Sequence, residues 1–252
     1  MKTRLLTISA AFVALSALFL SGCEKEDKDD ISMEDVNKGI VIIQGAGGQE
    51  YEAVDLGLYS GVLWATCNIG AKSPEQTGDS FSWGESQPKK YFDWDNYQLC
   101  KGDQFSFTKY CLIKDHGYQE LVDNKKVLEN EDDAARELMG DKWRIPSKED
   151  FVELIYRCDV RHCKLNGVWG FLFTSKIKGY EGNSLFLPLA GRIDLNDKKF
   201  NESYGFYWSN SIDRTETAYI LWLEYTNDIV NAVASKSCDR YLGLPIRPVT
   251  KR

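Results

Sequence analysis

The side chains here that could do covalent or metal chemistry are 38 carboxylates, seven cysteines and two histidines, in 252 residues. Few of them stand at a useful spacing. Glu149 and Glu153 lie one helical turn apart, and Asp132 adjoins Asp133. Glycoside hydrolysis needs two carboxyl groups facing each other across a substrate, and neither pair shows that arrangement. A Ser or Cys nucleophile needs a positioned histidine. His116 and His162 stand in no such motif and read as solvated loop residues. Neither has a zinc-ligand spacing, and the chain has no Cys-x-x-Cys pair. Asp93, Asp95 and Asn96 begin like a calcium loop. However, Tyr97 falls where an EF-hand places a ligand and Gln98 where it needs glycine, so Asx turns explain them better. The chain therefore offers no catalytic set, and neither a metal nor a cofactor is expected.

Groups suited to binding are easier to find. Tyr204, Tyr207, Trp208 and Asn210 cluster on one short segment, and Arg240 and Tyr241 precede the last strand. Ring faces beside amide and guanidinium donors suit a sugar or a peptide side chain. Packing competes for Tyr207 and Trp208, because large rings are most often core.

The elements that position these groups are organised around residues 130–158. Asn130 is a good N-cap, and Glu131, Asp132 and Asp133 set negative charge against the positive end of a helix dipole. Ala134, Ala135, Leu138 and Met139 follow at helical spacing, and Gly140 closes the helix. Trp143-Arg144-Ile145-Pro146 is extended, because a residue before proline is pushed out of the helical region. Ser147 caps a second helix, with Asp150 returning the bond. Phe151, Leu154, Ile155 and Cys158 share one face of it. Strands are expected at 40–43, 51–58, 62–65, 185–189, 205–209, 218–225, 229–234 and 244–249, with Asn227-Asp228 as a tight turn. Residues 70–126 are loop-rich and carry nine rings from Phe81 to Tyr110, which must pack on the core or on each other. The layout is α+β.

The acidic-Ala-Ala helix, Trp-Arg-Ile-Pro-Ser and a helix with an early Glu resemble the major paralogous domain family named from Fibrobacter succinogenes. DLGL at 55–58, WATCNIGA at 64–71, GDSFSWGE at 78–85, TKY at 108–110, LPLAGR at 187–192, GFYWSNS at 205–211 and IRPV at 246–249 follow in that family's order. The chain is similar, more distantly, to formylglycine-generating enzymes and other C-type-lectin-like folds. The resemblance implies two short helices flanking a mainly antiparallel sheet, loop-rich, in one domain over 40–252, with the ligand surface on its C-terminal-half loops. Trp64, Trp143, Arg144 and Arg247 are motif positions too and read as structural, the arginines pairing with buried acids or carbonyls. The cysteine pair used by formylglycine-generating enzymes is missing, since only Cys238 lies in the matching region, so their activity does not carry over. The usual Glu-Pro-Asn and Trp-Asn-Asp triplets of calcium-dependent lectins are missing too.

Lys2 and Arg4, then the apolar run Leu5–Leu20, then Leu20-Ser21-Gly22-Cys23, form a secretory leader over 1–22. It resembles the bacterial lipoprotein signal, which implies lipid on Cys23 and a membrane anchor that does not span. Residues 23–39 are acidic and poor in apolar groups, which predicts a flexible tether. An acidic run behind the lipidated Cys resembles the surface-export signal of Bacteroidetes lipoproteins, implying the outer face of the outer membrane, with a periplasm-facing anchor as second choice. Removing 1–22 takes the formal charge from −7 to −9, which disfavours nucleic acid as a partner. Six cysteines remain. Cys100 with Cys111 and Cys158 with Cys163 are the easiest disulfides, and buried free thiols are the competing state.

The expected function is a non-catalytic surface lipoprotein that binds an extracellular glycan or protein. A polysaccharide-acting enzyme using carboxylates of the 70–126 insertion, and a structural subunit of a surface assembly such as an adhesin, are the alternatives.

Overall fold

A computed structural model describes residues 29–36, 38–199 and 203–252; Cys23 and the leader lie outside them. In chain order the elements are β1 (Asp30–Ile31), α1 (Met33–Val36), β2 (Ile40–Gln44), β3 (Glu50–Val54) and β4 (Val62–Ala65). Short 3-10 turns and isolated bridges occupy the insertion that follows. Next come α2 (Ala134–Met139), α3 (Lys148–Arg157), β5 (Cys158–Leu165), β6 (Val168–Ser175), β7 (Ser184–Pro188), β8 (Arg192–Asp194) and β9 (Asp197–Lys199). The chain ends with β10 (Tyr204–Ile212), β11 (Thr217–Thr226), β12 (Ile229–Asp239) and β13 (Val249–Lys251).

The strands form sheets ordered β13-β4-β3-β2, β10-β11-β12, β1-β5-β6-β7 and β8-β9. Each described pairing is antiparallel except β1 with β5. The fold is thus α+β, mostly antiparallel and loop-rich. Asn227 and Asp228 both take positive φ, 51° and 62°, the type I′ geometry that joins β11 to β12. Asn166-Gly167 does the same between β5 and β6, a hairpin missing from the expected strands although Asn-Gly is a strong hairpin signal.

Both expected helices are present, with shifted ends. Asn130–Asp132 is a 3-10 turn, and Asp133 is the N-cap of α2, accepting from Ala135 N and Arg136 N. Leu138 is exposed, so only Ala134, Ala135 and Met139 form the buried stripe. Ser147 and Asp150 form the reciprocal capping box on α3. Cys158 is not helical: the chain passes directly from Arg157 into β5. The expected 244–249 strand is reduced to β13 and a single bridge from Leu244 to Phe81.

Within the tether expected over 23–39, the described residues 29–36 are packed on the domain rather than free. Ile31 and Val36 pack with Cys163, Leu165, Leu172 and Phe186, and Ser184 Oγ donates to Asp35 O. Three apolar side chains, Ile31, Met33 and Val36, are enough to fix a segment whose overall composition is acidic.

Two large cores lie on either side of the central strands. In β10, Phe206 and Trp208 enter the core with Trp83, Trp143 and α2, while Tyr207 enters the other with Phe151, Phe171 and Leu187. The same alternation divides Ile220 from Leu221 and Leu63 from Trp64. Period-2 side-chain alternation makes a strand buried on both faces the wall between two cores. The insertion adds a small core of Tyr97, Cys100, Phe107 and Cys111.

Candidate functional site

The six residues expected to bind do not share one surface. Tyr207, Trp208 and Arg240 are 0% exposed. Tyr207 OH donates to Pro188 O at 2.6 Å, and Trp208 Nε1 donates to Phe81 O at 2.7 Å. The Arg240 guanidinium gives its N–H groups to Tyr97 OH and to the Lys109, Tyr110 and Thr215 carbonyls. It also lies over the rings of Trp83 and Phe107. These three are therefore corrected to structural residues. A buried guanidinium must satisfy its donors, and the insertion's backbone carbonyls do so. Asn210 is half-buried and its main chain ties Pro146 to Leu128. Tyr241 is half-buried against Trp94 at 4.9 Å and donates to Asp194 Oδ1. Burial pushes its phenol up to about 12.

Tyr204 alone of the six lines a cleft. Arg192, Tyr204, Phe206 and Trp222 enclose about 280 Å³. Tyr204 lies near-parallel to Trp222, 6.1 Å between centroids and 7° between planes, and is stacked at 6.0 Å on Phe206. Arg192 Cζ is 5.8 Å from the Phe206 centroid, and Lys236 Nζ is 4.5 Å from that of Trp222. Trp222 Nε1 has no hydrogen-bond partner among the described residues. β8 supplies Arg192, β10 the first two rings and β11 the third. The register Phe206 opposite Trp222 sets them side by side on one face. Three stacked rings beside cations suit the apolar face and hydroxyls of a sugar ring. The sequence reading missed Arg192, Phe206 and Trp222. Ala218, Ile220 and Trp222 do alternate along β11, but alternation does not say which end of the face opens to solvent.

The chemistry-bearing groups sit elsewhere. His162 is not a loop residue: it lies on β5, stacked between Trp169 at 4.3 Å and Tyr225 at 3.8 Å. Burial holds its pKa below the usual value. His116 is half-buried beside Phe105 and faces Glu216 at 3.5 Å. Glu129, Glu131 and Asp132 converge, but Lys109 Nζ stands among them at 2.7, 3.1 and 2.5 Å. The ammonium occupies the place a metal ion would take and holds Glu129 down at about 2. Asn96 N donates to Asp93 Oδ1 as an Asx turn, and Lys89 Nζ donates to Asn96 Oδ1 where a cation would go.

All six described cysteines are free thiols. Cys158 and Cys163 lie five residues apart on one extended strand, about 16 Å along it, far beyond disulfide reach. They also enter different cores. Cys100 Sγ points to the Trp94 and Tyr97 carbonyls and Cys111 Sγ to that of Ile113. Both expected disulfides are corrected on these grounds.

No family model, curated protein or solved structure matches the chain. No helix among the described residues is long and apolar enough to cross a membrane.

Proposed function

We propose that this chain is a lipid-anchored surface protein whose domain binds an extracellular glycan, without catalysis, through the cleft between Tyr204 and Trp222. The observation that carries the reading is the parallel wall of Tyr204, Phe206 and Trp222 flanked by Arg192. Aromatic faces bury the apolar side of a sugar, and the cationic rim suits its oxygens. The Leu-Ser-Gly-Cys ending of the leader supports an anchor on Cys23, and the acidic run behind it supports the outer face of the outer membrane.

The proposal extends to family: a C-type-lectin-like domain of the Fibrobacter paralogous group. In support, segments that carry the resemblance bond to one another. Arg247 of IRPV donates to Asn68 of WATCNIGA. Trp83 of GDSFSWGE donates to Ser209 O of GFYWSNS, and Trp208 returns a bond to Phe81. Arg144 exchanges backbone bonds with Val249.

A glycan array with the purified protein tests the function. Retention of a defined glycan, abolished by Trp222→Ala and by Tyr204→Ala and unaffected by chelator, is expected. Retention of no glycan, or binding indifferent to both substitutions, refutes it.

A further inference from the structure

A second and larger cleft, about 640 Å³, shares no residue with the first. It opens where β3 and β4 part. Their ladder pairs Val54 with Trp64 and Ala53 with Ala65, and Thr66 N makes a last bond to Glu52 O at 3.0 Å. The chain after β4 then turns away through Cys67 to Lys72. β3 runs on to Glu50 with a strand partner only on its β2 side. Alternate residues of an antiparallel strand aim their peptide groups the same way, so Glu50, like Glu52, presents its backbone to the cleft.

The opposite wall is held rigidly. Arg247, 0% exposed, donates to Thr66 O at 2.6 Å and Asn68 Oδ1 at 2.7 Å. Asn68 Nδ2 donates to Thr77 O, and Asp79 N to Ile69 O. Ala65, Ile69 and Met139 give the cleft apolar lining. Glu50, Glu52 and Asp79 line it with negative charge against Lys72 alone.

We propose that this cleft receives an extended basic peptide segment of a protein partner, laid as an added strand beside Glu50–Glu52. The Glu50 edge supplies the backbone bonds, the added strand displacing the exposed Gln49 side-chain amide that Glu50 O accepts from, in the recurring mode of strand addition. The three carboxylates select lysine or arginine at alternate positions, and the apolar lining takes the residues between. A glycan is the poorer fit: three carboxylates repel acidic sugars, and the one ring in the lining, Tyr51, is already packed edge-on with Trp143.

The probe is acetyl-Val-Lys-Val-Lys-Val-amide, titrated into the ¹⁵N-labelled protein, with its glutamate analogue as control. Saturable shifts of the Glu50–Glu52 and Thr66–Lys72 amides are expected, weakening as salt rises. Glu52→Lys combined with Asp79→Lys should reduce affinity by about tenfold or more. Both side chains are exposed, so folding is not at issue. Unmoved amides at millimolar peptide, equal binding of the glutamate analogue, or the same amides shifting with a glycan overturns the proposal.

Discussion

Arg247 Nε lies 2.7 Å from Asn68 Oδ1, joining the first and last thirds of the domain inside the protein. The same guanidinium serves the Ala65, Thr66 and Pro74 carbonyls. Arg247→Leu strands these acceptors in the interior and should cost about 3–5 kcal/mol in urea denaturation. Arg247→Lys should recover little, because an ammonium lacks the planar fork. A loss below about 1 kcal/mol would show that water replaces the guanidinium.

The rings of β10 and β11 should divide into structural and functional sets. Tyr207→Ala and Trp208→Ala open cavities in two different cores and should each cost about 3–5 kcal/mol. Trp222 is half-buried at the cleft, so Trp222→Ala should lower the melting temperature far less while removing glycan binding. The opposite ranking, measured by calorimetry and array binding on the same preparations, would place the site elsewhere.

His162 should give the stability curve an acid limb. Burial between Trp169 and Tyr225 lowers its folded pKa below the usual value of about 6.5, although Asp29 opposes the shift. A depressed pKa means the unfolded chain takes the proton first. The stability contributed by neutral His162 is therefore present above about 6.5 and lost as pH falls toward the folded value. His162→Phe keeps a ring in the stack and should remove this component. An unchanged pH profile in that variant would assign the acid limb to other groups.

The thiols should titrate as six. In denaturant without reductant, Cys67, Cys100, Cys111, Cys158, Cys163 and Cys238 should all react with a thiol reagent. Dithiothreitol should leave the melting temperature unchanged. Burial pushes Cys158 up to about 12 and Cys163 up to about 11, so neither should react in the native state. A mass two hydrogens short of the reduced chain would contradict the free-thiol structure.

Helix capping offers a graded test. Ser147→Ala removes one side of the capping box on α3 and should cost about 1 kcal/mol. Asp133→Ala should cost more, about 2–3 kcal/mol, because Asp133 also accepts from the buried Ile145 N–H. Equal losses from chemical denaturation would mean that the Ile145 bond contributes nothing.

Local chemistry was legible in the chain. The Ser147-Asp150 box and the extended Trp143-to-Pro146 connector follow from contacts within four residues, which sequence order states directly. The Asn227-Asp228 turn likewise needs no distant partner, and the strand at 62–65 shows in its apolar run although it pairs with Val249–Lys251. The first helix began three residues late because Asp133, not Asn130, meets the free N–H groups, and Asp133 is fixed there partly by Ile145, 12 positions away.

The proposed binding surface was not legible for a related reason. A cluster of rings in sequence is divided by strand alternation, so Tyr207 and Trp208, adjacent in the chain, face opposite cores. Trp222 joins Tyr204 only through the β10–β11 register.

The sequence by itself determined the α+β class, the two capped helices and the chain's net negative charge, because these depend on residue type and near neighbours. Only the tertiary structure decided which rings reach solvent, which cysteines are too far apart to join, and where β3 is left without a neighbour. Those outcomes depend on strand register and on how the sheets cover one another, and burial is a property of the assembled layers.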